Sequence, residues 1–213
     1  MPSVDALVLF FITALVVIIS PGPSNLYVMA RSVAQGVRGG AVASTGLAAG
    51  GMVHVVAGAL GLSIIVQHLP VLYSLMKIAG AVYLIWLGIT QIMATRNTPA
   101  RLDAPDPVAH RSDRRILMES VMVEAPNPKV ALFFLAFLPQ FVDTAQGAFA
   151  LQFAVFGVIF VVVAFLCDLV YALAAGRAAN LMRTSRTARQ IQDWVSGSAL
   201  IGLGGYMAFS ARD

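Results

Sequence analysis

Charge is scarce in this chain. Of 213 residues only 11% are Asp, Glu, Lys or Arg, where a soluble domain carries about 25%. That shortage excludes an ordinary soluble domain. With 59% hydrophobic residues and a mean hydropathy of +0.82, the composition is that of an integral membrane protein. Cysteine is almost missing: Cys167 stands alone, which excludes an internal disulfide and a two-thiol electron relay. No CxxC motif or Cys/His cluster offers a metal site, so neither metal nor cofactor is expected. The segment Met1 to Asp5 lacks Lys and Arg side chains, and Ile18 to Pro23 has no clean small-residue cleavage site. The first apolar stretch is therefore expected to be a retained helix and not a signal peptide. A net charge of +4 does not point to nucleic acid, because the arginines fall in short loops between apolar segments.

What the sequence does have is a pair of interruptions. Ser20-Pro21-Gly22-Pro23-Ser24-Asn25 sits inside an apolar stretch from about Val4 to Ala34. Two prolines flanking a glycine remove backbone donors and obstruct the carbonyl ladder behind them, so a helix must break here. Glu124-Ala125-Pro126-Asn127-Pro128-Lys129 is a second copy, with Pro126 and Pro128 each 105 positions after Pro21 and Pro23. Broken helices at matching positions of two halves are the sequence mark of a transporter site.

Six apolar segments follow from the pattern, beginning with the broken one. Helix 2, about Gly40 to Val66, carries Gly46, Gly50, His54 and Gly58 every four residues. Such a small-residue face lets helix backbones approach closely in lipid, and it serves intramolecular packing and a homodimer alike. His54 reads either as an interhelical hydrogen bond or as part of a substrate or proton path. Helix 3, about Val71 to Ala94, contains Gly80 and Gly88, a separation that returns at Gly197 and Gly205. Helix 4, from Ile116 to Phe141, places Glu124 and Lys129 on either side of its break, where ionisable groups are costly unless paired or hydrated. They are either a structural ion pair or functional groups, and Asn127 has the side chain of a helix cap. Helix 5, about Phe149 to Ala175, sets Asp168 in a stripe of Gly157, Ala164, Ala172 and Gly176. A carboxylate there faces protein or a cavity, where it can titrate. Helix 6 is expected over about Asp193 to Phe209.

The loops alternate in charge. Arg31 and Arg38, then Arg96, Arg101, Arg111, Arg114 and Arg115, then Arg177, Arg183, Arg186 and Arg189 fill the odd loops, and the even ones hold no arginine. The positive-inside rule puts the odd loops in the cytoplasm and both termini outside. The expected fold is an all-α integral membrane protein of six transmembrane helices in one domain, 1–213. It is built as two inverted three-helix repeats, about 4–95 and 116–210, each with a broken first helix, joined by a linker at about 96–115.

Pro21-Gly22-Pro23, the run from Gly36 to Ala41 leading to Gly46 and His54, the Gly80 to Gly88 pattern, and Asn127-Pro128-Lys129 with Pro139-Gln140-Phe141 resemble the LysE/RhtB family of amino-acid exporters over nearly the whole chain. The resemblance implies a secondary transporter of the bacterial inner membrane that exports small amino acids or derivatives, of the threonine, homoserine, lysine or arginine kind, by proton exchange. Together with the breaks it nominates Pro21, Gly22, Pro23, Ser24, Asn25, His54, Glu124, Asn127, Pro128 and Lys129 as substrate-binding residues. Asp168 and Glu124 are the nominated proton-coupling carboxylates. Half-helix N-termini would take the substrate carboxylate, and an acidic side chain its ammonium. Two other readings stay open: an intramembrane enzyme assembled from Ser20, Ser24, His54 and Asp168, which follow no recognisable hydrolase motif, and a non-transporting membrane scaffold.

Overall fold

A computed structural model describes residues 4–20, 22–94, 109–143 and 147–210, and among them every regular element is helical. Pro21 and most of the linker lie outside the described residues. In chain order the elements are α1 (Val4–Ile19), α2 (Pro23–Ala57), a π-helical turn (Gly58–Leu62), α3 (Ser63–His68) and α4 (Pro70–Ala94). Then come α5 (Asp113–Glu124), α6 (Pro128–Leu132), a π-helical turn (Phe133–Phe137), a 3-10 turn (Leu138–Phe141), α7 (Phe149–Thr184) and α8 (Arg186–Ser210).

Both proline-rich stretches interrupt the helix, as the backbone chemistry of proline requires. Three helices, Pro23–Leu62, Val71–Met93 and Phe149–Ala175, are each long and apolar enough to cross a membrane. The bent pair Asp113–Glu124 and Pro128–Phe141, at 48°, makes a fourth if it is one span. The chain is thus an all-helical, multi-pass membrane protein. Two of the six expected segments are weaker for physical reasons. The apolar part of α1, Leu7–Ile19, is about 20 Å long, against a hydrocarbon core of about 30 Å. α8 opens on Arg186, Arg189 and Asp193, which dilute its apolar character.

The turn expected between Arg31 and Arg38 is present and short: the backbone leaves helical geometry at Gln35 (φ −132°, ψ 17°) and Gly36 (φ 71°, ψ −173°), which divide α2 into two helical stretches. Gly36 occupies a backbone region closed to other residues, so the chain changes direction in two residues. The basic segment after Ala175, expected as a loop, is helical instead, interrupted only at Ser185, in keeping with the high helix propensity of its alanines and arginines.

α2 is the central element, packed along α5 on one side and α7 on another, while α4 packs against α8. The glycine face anticipated on helix 2 meets α5: a Cβ at Gly50 would stand 2.7 Å from Glu124 Cβ, and one at Gly46 would stand 2.4 Å from the Leu117 carbonyl oxygen. Only glycine permits that approach. Past the second break the interior fills with aromatic rings. Phe133 stacks on Phe160 at 4.6 Å between centroids, and Phe10 meets Phe156 at 4.8 Å. Phe10, Phe133, Phe137 and Phe153 are fully buried around them.

Candidate functional site at the paired helix breaks

The first break separates a helix C-terminus from a helix N-terminus. α1 ends at Ile19, and Gly22 is the extended N-cap of α2 (φ −161°, ψ 178°), with Pro23 in the first turn and no side-chain cap. The first-turn N–H groups of a helix have no intrahelical partner, so this end of α2 is an electropositive anion site by geometry. On the α1 side the exposed carbonyls are taken up. Lys129 Nζ donates to Ser20 O at 2.8 Å and to Val17 O at 3.2 Å, and Asn25 Nδ2 donates to Ile18 O at 3.3 Å. A cation at a helix C-terminus is favourable on both hydrogen-bonding and dipole grounds. The same ammonium lies against the other side of the gap: a Cβ on Gly22 would be 3.0 Å from Lys129 Nζ.

The second break is built from side chains. α5 ends at Glu124, and Asn127 caps α6, its Oδ1 accepting the Lys129 N–H at 3.1 Å. Asn127 Nδ2 donates to Ser24 Oγ at 3.0 Å and to Glu124 Oε2 at 3.2 Å, and the Ser24 hydroxyl donates to the same carboxylate oxygen. His54 Nε2 sits 3.1 Å from the Glu124 carbonyl oxygen and its ring lies 5.7 Å from that of Phe134, so the imidazole is spent on the backbone at the break. Glu124, Asn127 and Lys129 are all buried. Glu124 and Lys129 form no direct ion pair among the described residues, since the ammonium is turned to α1.

Asp168 of α7 and Glu124 line one cleft, with Leu47, Ala48, Gly51 and Phe160 among its walls. Asp168 is 6% exposed and makes no hydrogen bond or ion pair among the described residues, although Glu124 and Lys129 lie within its electrostatic reach. A buried carboxylate without a direct partner is costly. The cleft measures about 10 Å³, at the lower limit for one water molecule.

Most of the nominated residues therefore converge. Gly22, Pro23, Ser24, Glu124, Asn127, Pro128 and Lys129 form one cluster, with Asp168 across the cleft and His54 behind it. Asn25 is close but turned to α1, and Pro21 lies outside the described residues. On α7 the stripe around Asp168 already held Ala164, and sequence reasoning missed the cleft wall Phe160. Its signal was present, since Phe160, Ala164 and Asp168 recur at i, i+4 and i+8.

A family model for LysE type translocators matches residues 15–211. The chain belongs to that family. Leucine efflux proteins of Salmonella typhimurium (strain LT2), Salmonella paratyphi A and Salmonella choleraesuis are each 26% identical to it over 204 residues, which cover 95% of this chain and 92% of theirs. No solved structure matches the chain. This translocator is a transporter and not an enzyme, which removes the intramembrane-enzyme reading and the scaffold with it.

Proposed function

We propose that this translocator is a secondary exporter of small amino acids, leucine-like ones first, from the bacterial cytoplasm by exchange for protons. The observation that carries this reading is the meeting of opposite charges at the breaks: an uncapped N-terminus of α2 beside the Lys129 ammonium, and the Glu124 and Asp168 carboxylates a short way off. A zwitterion needs that pair of poles. Its carboxylate would bind the Ser24 and Asn25 amides next to Lys129, and its ammonium would lie between Glu124 and Asp168. Ser24 and Asn127 hold the Glu124 carboxylate in place. The apolar walls Leu47, Ala48 and Phe160 suit an aliphatic side chain, in line with relatives named for leucine efflux. In the absence of substrate a proton on Asp168 would replace the ammonium, which is the physical basis of exchange.

The same reading adopts six spans in two inverted repeats, with α1 and α8 counted, the arginine-rich loops in the cytoplasm and both termini outside. A reciprocity of contacts supports it. If positions 22 and 24 match 127 and 129, a two-fold axis turns the contact of Ser24 with Asn127 into one of Gly22 with Lys129, and both are made. Rocking of the repeats would open the cleft to each side in turn.

The decisive experiment is counterflow in proteoliposomes. Vesicles preloaded with leucine are expected to accumulate radiolabelled leucine transiently, faster with an outward proton gradient, the protons leaving as the label enters. Equal equilibration in protein-free vesicles and proteoliposomes would refute the exporter reading.

A further inference from the structure

We infer that Tyr27, Arg31, Gln35, Arg111 and Glu119 form a latch that closes the linker end of the bundle over the site, and that it must release for the site to open there. The inference rests on the transport reading above, and its test does not require transport.

The latch joins α2 to the segment that leads into α5. Gln35 grips the Arg111 backbone with both ends of its carboxamide: Nε2 donates to Arg111 O at 2.8 Å and Oε1 accepts the Arg111 N–H at 2.9 Å. Arg31 Nη1 donates to Ala109 O at 3.1 Å, and Nη2 lies 3.8 Å from Glu119 Oε2. The Glu119 carboxylate also receives Tyr27 Oη at 2.9 Å, Arg115 Nε at 3.0 Å, and Arg111. One carboxylate thus gathers three arginines and a hydroxyl from α2, α5 and the segment before α5. Tyr27 follows Ser24 by three residues and Glu119 precedes Glu124 by five, so the near edge of the latch sits about 4.5 Å along α2 and about 7.5 Å along α5 from the break cluster. It is the next layer outward from the site.

Three features make it a switch and not a plain helix contact. Gln35, which holds the linker end, is itself half of the kink in α2, and its neighbour Gly36 has open space where a Cβ would be. Releasing Gln35 therefore frees the joint between the stretch of α2 that carries Ser24 and the stretch that packs on α5. Arg31 is 5% exposed, and a buried charge stripped of its partner is strongly unfavourable, so the closed state is held by that pair and not by surface pairs. Arg31 Nε, finally, is buried without a hydrogen-bond partner. The closed arrangement leaves one donor unsatisfied, which keeps its advantage over an open arrangement small.

The test reads access to the cleft. Ala164 lines it, so Ala164→Cys in a Cys167→Ser background is labelled with a membrane-impermeant maleimide in sealed vesicles of both orientations, with Arg101→Cys marking the linker face. Glu119→Gln is expected to raise labelling from the linker face by about tenfold, a one-decade shift in the open population, and to lower it from the opposite face. Tyr27→Phe, which removes one hydroxyl, is expected to give a smaller rise in the same direction. Arg38→Ala, which breaks the exposed pair with Asp113, is expected to change it less than about twofold. If Glu119→Gln fails to insert, Tyr27→Phe and Gln35→Leu carry the test. Parent-like rates from the linker face in every latch variant overturn the latch. Shifted labelling in a protein without counterflow would strike the exporter reading alone.

Discussion

The two helix breaks share a proline spacing and differ in what they present. At the first, Gly22 caps α2 with no side chain, and what faces the gap is bare backbone. At the second, Asn127 caps α6 with its own carboxamide, and Glu124 and Lys129 supply charge. One break is a backbone device and the other a side-chain device. A symmetric site would suit a symmetric ligand, and two breaks that differ in polarity would suit the unlike poles of the proposed amino-acid substrate.

Glu124→Gln strikes the side-chain break directly and carries the largest expected effect. Counterflow of leucine should fall by about two orders of magnitude, because a charge-assisted hydrogen bond of about 1.5–3 kcal/mol is lost, while the amide still accepts from Ser24 and the protein still inserts. Asp168→Asn comes next and separates coupling from binding: pH-driven export should cease while leucine exchange at equal pH persists. Undiminished pH-driven export would make Asp168 a packing residue.

The backbone break should respond differently. In Gly22→Ala the new Cβ would press on Lys129 Nζ at 3.0 Å, so the ammonium must give way by a few tenths of an ångström. Leucine affinity is expected to drop several-fold, with thermal stability unchanged, because Gly22 is in extended backbone that any residue adopts. The smallest transport effect is expected from Asn127→Ala, where the cost falls on stability instead: losing an N-cap is worth about 1 kcal/mol, read as a lower melting temperature in detergent. Stability loss at Gly22 and none at Asn127 would invert the comparison.

The breaks were legible because proline and glycine act through local backbone chemistry, and the sequence carries that in full. Asp168 was legible through the period of its small neighbours. The role of Lys129 was not: its choice of the α1 carbonyls over Glu124 depends on where α1 ends in space, which no local pattern encodes. The turn between Arg31 and Arg38 was legible in its arginines, and the backbone leaves helical geometry there at Gln35 and Gly36. What stayed hidden for a related reason was its partner: only the contacts with Ala109, Arg111 and Asp113 show that its polar side chains are met by another segment. Nor does any local pattern encode the contacts that Tyr27 and Arg31 of α2 make with Glu119.

The central claim is that the two breaks act as one binding site, and a double-mutant cycle across them tests it most directly. Ser24 lies at the first break and Asn127 at the second, joined by a 3.0 Å hydrogen bond. Leucine affinity is to be measured by equilibrium binding for the parent, Ser24→Ala, Asn127→Ala and the double variant. The account predicts a coupling of about 0.5–1 kcal/mol, the double variant losing less than the two single losses combined. Additive losses would mean that the breaks contribute independently, and would contradict the single site.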